Sequence, residues 1–309
     1  MPLSVTVTVP ATTANIGPGF DCLGAALNLY NRFHFKPFTP LSDSEPFHIS
    51  IEGAEAKRVN SGANNLVYRS FLKCYERMGI DPLPVEIDIK LGVPLSRGLG
   101  SSSTAIVGGI MGANALAGSP LDEMALAQLA NEIEGHPDNV TPALFGGFRL
   151  ATVAGGRLQV CDLPWHESVA PVAIIPEFEL STVDARRVLP AHYSRVDAVF
   201  NTAHIGLLLR GIQTGNGDWI AGGMRDRIHQ PYRKKLIPGY EDVRRAAMQA
   251  GAWGLAISGA GPTLLALAPQ EASEAVRVAM DDAWRSQSFS AKAHCLRLDE
   301  NGATAESAG

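Results

Sequence analysis

Cysteine is scarce in this chain of 309 residues: four stand at positions 22, 74, 161 and 295. No two of them form a C-x-x-C pair, which argues against a zinc site or a thiol redox motif and for four reduced thiols. The basic residues do not cluster, and no apolar run approaches the length of a membrane span. With a net charge of −5, these absences exclude nucleic acid and membranes as expected partners. Residues 1–17 also lack the basic and apolar regions of a secretory leader. The expectation is therefore a cytoplasmic protein.

Hydrophobic residues make up 46% of the chain and charged residues 18%, enough for a sizeable core in one large domain or two. Residues 4–9, SVTVTV, alternate as a half-buried strand, and ATTANIGPGFDCLG after them reads as a structured loop. A Pro/Ser-rich surface loop is expected at 37–46. Apolar spacing predicts a helix from 66 to a C-cap at Gly79, and alternation from Val85 to Leu91 predicts a strand. TAIVGGIMGANALAG reads as a helix whose Gly108, Gly109 and Gly112 cost propensity unless something packs closely on them. Ser119 and Pro120 then look like the N-cap and first turn of another helix, with Leu121, Met124, Ala125, Leu129 and Ile133 as its core stripe and a stop at Gly135.

Beyond about residue 165 come a strand, several helices, a strand–glycine turn–strand unit, an amphipathic helix and a last strand. The expected domains are 1–164 and 165–300, with a disordered tail at 301–309. Mixed elements without a regular βαβ alternation argue for an α+β fold.

One stretch concentrates the chemistry: PLSRGLGSSS, residues 94–103. It cannot be a Walker-type phosphate loop, because it lacks the lysine that neutralises the terminal phosphates. As a dinucleotide fingerprint it lacks the acidic residue expected at the end of a second strand. What remains is a glycine-serine loop feeding a helix N-terminus, where the N–H groups of Ser101 to Thr104 and the helix dipole would face a phosphate chain. Serine hydroxyls there could also meet Mg²⁺, an ion that takes oxygen ligands and usually shares them with phosphates.

P-x-x-x-G-L-G-S-S resembles the second signature of the GHMP kinases. Five further blocks extend the resemblance over nearly the whole chain, toward the branch of that family that phosphorylates homoserine: PATTANIGPGFDCLG near the start, EIEGHPDNVTPALFGG at 132–147, STVDARRVLP at 181–190, DRIHQPYRKKLIPG at 226–239 and AISGAGPTLLAL at 256–267. The departure from the family pattern is Ser103 and Thr104, where many members carry alanines. The resemblance implies an N-terminal domain like domain 2 of ribosomal protein S5, a ferredoxin-like C-terminal domain, an active site between them, and compatibility with a homodimer.

It also implies roles. ATP would lie on Pro94, Leu95, Ser96, Arg97, Gly98, Leu99, Gly100, Ser101, Ser102, Ser103 and Thr104, with a turn at Gly259 and Gly261 beside the phosphates and Asn64 near the base. Mg²⁺ would meet Ser102, or a neighbouring serine, and Glu132, with Glu134 as rival. L-Homoserine, a zwitterion with a hydroxyl, would be held by Asn15 and Asp21, the latter on its ammonium. Arg186 and Arg233 would grip its carboxylate with a planar fork that lysine cannot offer, and Thr182 would add a hydroxyl. Near the reacting hydroxyl stand Asp138 and Asn139, between which the sequence does not choose. His136 beside them reads as a helix-end residue.

Overall fold

The alternation at residues 4–9 does make a strand, but the strand does not stop there. In the computed structural model, which describes residues 3–41 and 45–308, β1 runs Ser4–Asn15. Most of the stretch expected as a loop is therefore sheet. Every residue from Pro10 to Asn15 is buried, and the pairing with β2 (Gly19–Pro37) shifts register between Pro10 and Ala11, a bulge that accommodates a residue without an N–H. Only residues 16–18 turn. The expected surface loop at 37–46 lies partly outside the described residues, at 42–44.

Next come β3 (Phe47–Glu52), α1 (Leu66–Met78) and β4 (Val85–Lys90). β3 and β4 pair in parallel, Ile49 opposite Ile87, with α1 as their crossover. Asn65 caps α1 by accepting from Val67 N at 2.9 Å, and Gly79 ends it in a left-handed conformation, as expected. α2 (Ser101–Leu116) carries the three glycines. A Cβ on Gly108 would overlap the Phe33 ring, on Gly112 the Phe35 ring, and on Gly109 the Val67 carbonyl. The helix thus sinks onto the sheet on one side and onto α1 on the other.

α3 (Glu123–Glu134) starts three residues later than expected. Asp122 is its cap, accepting from Ala125 N at 2.7 Å. Ser119 instead has φ +60, and Asn114 holds both the N–H and the carbonyl of Leu121 against α2. Its buried stripe also differs from the expected one: Leu126, Ala127, Leu129 and Ala130 are buried while Met124 is exposed. α4 (Pro137–Phe145), β5 (Phe148–Ala154) and β6 (Arg157–Leu163) complete the first half, giving a sheet ordered β3-β4-β2-β1, with β5 and β6 joined at the start of β2.

The second half runs β7 (Val169–Pro176), α5 (Thr182–Arg187), α6 (Arg195–Thr214), α7 (Gly217–Gly223), α8 (Gln230–Arg233), α9 (Tyr240–Gln249), β8 (Gly254–Ile257), β9 (Leu264–Pro269), α10 (Ser273–Arg285) and β10 (Ala291–Cys295). Its four strands lie β10-β7-β9-β8, all antiparallel, the fourth-first-third-second order of a ferredoxin-like sheet. Val243, Val276, Met280 and Trp284 cover one face. On the other side Ala173 and Leu265 join Leu208 and Ile212 of α6 and Ala11, Leu23 and Leu27 of the first sheet in one apolar cluster, so the halves share a core.

The expected disordered tail is a strand. β11 (Thr304–Ala308) pairs antiparallel with β1, Ser4 opposite Ala308. Asp299 steers the chain back: its carboxylate accepts from Tyr30 Oη at 2.7 Å and from the N–H groups of Asn301 and Gly302 at 3.1 and 2.7 Å. The final strand therefore belongs to the first sheet, and its pairing covers the edge of β1.

Candidate active site

Six segments meet at one end of the shared core: the β1–β2 turn, the loop before α2, the α3–α4 junction, α5, α8 and the β8–β9 turn. They enclose a cleft of about 330 Å³. Backbone strain concentrates here. Asn15, Ile16, Asp21 and Ser96, none of them glycine, have φ of 70, 39, 58 and 54, conformations that persist only where the surroundings impose them.

The glycine-serine loop forms one wall. Gly100 is the N-cap of α2 with φ +68 and supplies no side chain to the helix end. The N–H of Thr104 is already bonded to Gly100 O at 2.9 Å. The donors left at the helix end are therefore those of Ser101, Ser102 and Ser103, one fewer than the sequence suggests. The loop is pinned from both halves. Leu99 O accepts from Thr12 N at 3.1 Å, Arg97 O from Thr263 N at 3.2 Å, and Gly98 O from Ser258 Oγ at 2.6 Å. A side chain on Gly98 would overlap the Ser258 carbonyl and one on Gly100 the Thr12 hydroxyl, so both glycines are imposed by close approach.

Ser96, Gly98, Gly100, Ser101 and Ser102 line the cleft, as do Gly259 and Gly261 from the β8–β9 turn. Other loop members expected to meet ATP do not line it. Leu99 is buried in the shared core. Leu95 N donates to Glu55 at 2.7 Å, which draws Pro94 and Leu95 toward the far side. Thr104 Oγ1 donates to Ser101 O and accepts from Asn31 Nδ2, each near 2.8 Å. The Arg97 guanidinium turns away and donates to the carbonyls of Leu95, Pro176 and Glu177, beside Glu55 and Glu179. Asn64 is exposed outside the cleft; its neighbour Asn65 is the capping residue.

The carboxylate facing this loop is Glu134, not Glu132. Glu134 Oε1 accepts from Ser102 Oγ at 2.7 Å and Ser103 Oγ at 3.2 Å. Glu132 pairs with Arg77 and accepts from Gln128 Nε2, away from the cleft. Residues two apart on a helix point to nearly opposite sides, so only one of the two could reach. The signal in the sequence was proximity of Glu134 to the GHPDN turn.

The opposite wall is charged. Asp21 and Arg186 form a two-pronged pair at 2.8 and 2.9 Å, both partly exposed to the cleft. That pair, against the cost of burial, raises the pKa of Arg186 above its ordinary value. Asn15 organises the turn: its Oδ1 accepts from Asp21 N at 2.9 Å and its Nδ2 donates to Gly259 O at 2.7 Å, tying the two halves. Arg233 is almost wholly buried and donates to Ala185 O and Gly259 O, each at 3.1 Å. Burial and then Arg186 lower its pKa. Phe20, which sequence reasoning missed, lies within 5.7 Å of the Arg186 guanidinium and 5.0 Å of the Arg233 guanidinium. Thr182 lines the cleft beside Arg186.

Between the two walls stand Asp138 and Asn139. Asn139 Oδ1 accepts from Thr12 Oγ1 at 2.8 Å, and Asp138 Oδ1 meets His136 Nδ1 at 2.7 Å. His136 is at the N-cap of α4, as expected, and also lines the cleft. Burial opposes its charge, but the bond to Asp138 together with the charges of Asp138, Glu134 and Asp21 outweighs that and raises its pKa. The cleft thus offers an anion site at a helix end beside hard oxygen ligands, and in the same cleft a paired anion and cation. That combination suits phosphoryl transfer to a small zwitterion.

Residues 65–147 match the GHMP kinases N terminal domain and residues 208–286 the GHMP kinases C terminal model. A homoserine kinase of Microchaete diplosiphon is 55% identical over 306 residues, covering 99% of this chain and 98% of the relative. One of Trichormus variabilis is 57% identical over 301 residues, covering 97% and 98%. Among solved structures, a homoserine kinase from Cytophaga hutchinsonii superposes with a TM-score of 0.89 at 33% identity, covering 99% of this chain and 98% of that one.

Proposed function

This chain belongs to the GHMP kinases, a family of ATP-dependent phosphotransferases, and on that premise we propose that it transfers the γ-phosphoryl group of ATP to the side-chain hydroxyl of L-homoserine. The products are ADP and O-phospho-L-homoserine, on the route to threonine. The observation that carries this reading is the Asp21–Arg186 pair facing the helix end at Ser101–Ser103 across one cleft.

A zwitterion exchanges that one ion pair for two. The ammonium takes Asp21 and the carboxylate takes Arg186, with Arg233 behind it, so neither charge is left unpaired as the substrate enters. Thr182 supplies a hydroxyl at the same end. The backbone N–H groups of Ser101, Ser102 and Ser103 receive phosphate oxygens, with the dipole of α2 behind them. Gly259 and Gly261 keep the other side of the phosphates free of side chains. Asn139 has its carbonyl committed to Thr12. Asp138 holds His136 with one oxygen, and its other oxygen accepts no hydrogen bond from a described residue. Asp138 therefore orients the acceptor hydroxyl, and because the transition state of phosphoryl transfer is loose, positioning and charge neutralisation carry most of the catalysis.

The donor set suits a magnesium ion. A hydroxyl and a carboxylate are hard oxygen ligands, and Ser102 and Glu134 stand 2.7 Å apart at the helix end. Among the described residues no group of three or more His, Cys, Asp or Glu could hold a metal ion, so its other ligands would be phosphates and water. When bound, it would neutralise charge on the transferring phosphate. The reading carries with it a cytoplasmic location and a homodimer, the latter checked by sedimentation. Among the described residues no helix is long and apolar enough to cross a membrane.

The test is ADP release with Mg²⁺ and L-homoserine, L-threonine, L-serine or mevalonate as acceptor. Selective turnover of L-homoserine is the expected result. Turnover of mevalonate in its place would keep the kinase and overturn the zwitterion clamp.

A further inference from the structure

Behind the two arginines lies a histidine with no place in the chemistry just described. His229 is fully buried at the start of α8. Its Nε2 lies 2.7 Å from the carbonyl of Gly17, in the turn that leads to Asp21. Its Nδ1 lies 3.4 Å from Nη1 of Arg233. Its ring stacks on Phe20 at 5.3 Å and 24°, and the Arg186 and Arg233 guanidiniums lie near the same Phe20 ring.

The partners dictate the tautomer. A carbonyl can only accept, so Nε2 carries the proton. A guanidinium can only donate, so Nδ1 is bare. The ring is therefore neutral, and it must be: a proton on Nδ1 would face the Arg233 guanidinium, in a cleft that already holds Arg186. The charged groups facing the ring are Asp226 and Arg233 from its own stretch and Asp21 from β2. Asp226 is itself occupied. Its carboxylate accepts from the N–H groups of Ile228, His229 and Gln230 and from Asn201 Nδ2, at 2.7 to 3.0 Å. Burial prevails over Asp226 and lowers the imidazole pKa.

We propose that His229 is a positioning residue for the amino-acid acceptor: as a neutral ring it fixes Arg233 with one nitrogen and the Asp21 turn with the other, and so sets the spacing of the zwitterion clamp. This rests on the acceptor reading above.

Three variants separate its two bonds. His229→Asn places an oxygen near Nδ1 and keeps a partner for Arg233. His229→Gln reaches as far as Nε2 and keeps the donor to Gly17. His229→Leu keeps neither. With each substrate varied separately, H229L is expected to raise KM for L-homoserine about 50-fold, and H229N and H229Q about 5- to 10-fold, with KM for ATP within about twofold. The wild-type KM for homoserine should rise only on the acid side of the ordinary imidazole range, where the ring takes a proton, and H229N should lose that rise. Equal increases in both KM values, Asn and Gln variants no better than Leu, or an acid limb unchanged in H229N would each overturn the proposal. If H229L does not fold, the Asn and Gln variants decide it. Wild-type turnover is measured first: if another alcohol proves to be the acceptor, the reading above fails by itself and the same variants are judged on the KM of that alcohol.

Discussion

The two walls of the cleft are built in opposite ways. The phosphate wall is mostly backbone from one contiguous stretch: carbonyls pinned by Thr12, Ser258 and Thr263, and N–H groups left over at the end of α2. The acceptor wall is side chains from β1, β2, α5 and α8, no two of them neighbours in sequence apart from Phe20 and Asp21. A backbone site tolerates changes of side chain but not the addition of one where the chain must approach closely. A side-chain site has the reverse sensitivity, because each charged group balances another and truncating one leaves its partner unpaired.

The sharpest break in this contrast is Asp21→Ala. It removes the ammonium partner and strands Arg186, so kcat/KM for L-homoserine is expected to fall about a thousandfold while KM for ATP stays within about twofold. Equal losses for both substrates would show that the walls are not independent. Next is the pair Glu134→Gln and Glu132→Gln. Initial rates against Mg²⁺ concentration should show the first needing about 100-fold more ion and the second unchanged within about twofold; the reverse order would restore the sequence expectation. Gly98→Ala adds one methyl at φ +77 against the Ser258 carbonyl and should raise KM for ATP about 30-fold with little change for homoserine.

The smallest effect concerns His136, which stands between the walls beside Asp138. Its folded pKa lies above its unfolded value, so its contribution to stability is complete below about pH 6.5 and is lost as the pH rises through the folded value. Thermal melts of wild type and His136→Gln should therefore differ by about 2 °C more at pH 6 than at pH 9. A difference independent of pH would mean that the contact with Asp138 carries no charge.

The same contrast explains what could be read from the chain alone. The loop was legible because its glycines, serines and helix lie side by side, and the C-cap at Gly79 is local for the same reason. Asp21, Arg186 and Arg233 were reached through family resemblance; nothing in their spacing brings them together. Glu132 was chosen over Glu134 by family resemblance and because it lies off the expected core stripe; the serine contacts that bring Glu134 to the loop are tertiary and leave no mark on its own helix. Arg97 looked like a phosphate ligand by position, yet its side chain braces the segment leading into α5. Residues 301–308 read as a tail because TAESA has little apolar pattern, while its backbone pairing with β1 depends on an edge formed three hundred residues earlier.

That last strand ties synthesis to assembly. The outer edge of β1 gains its neighbour only from residues 304–308, so that edge waits for a segment about three hundred residues further along the chain. It also sets residues 4 and 308 opposite each other. A circular permutant that joins residues 4 and 308 through a short linker, and opens the chain at the exposed Gly155–Gly156 turn between β5 and β6, would turn a seam closed by chance meeting into one held covalently.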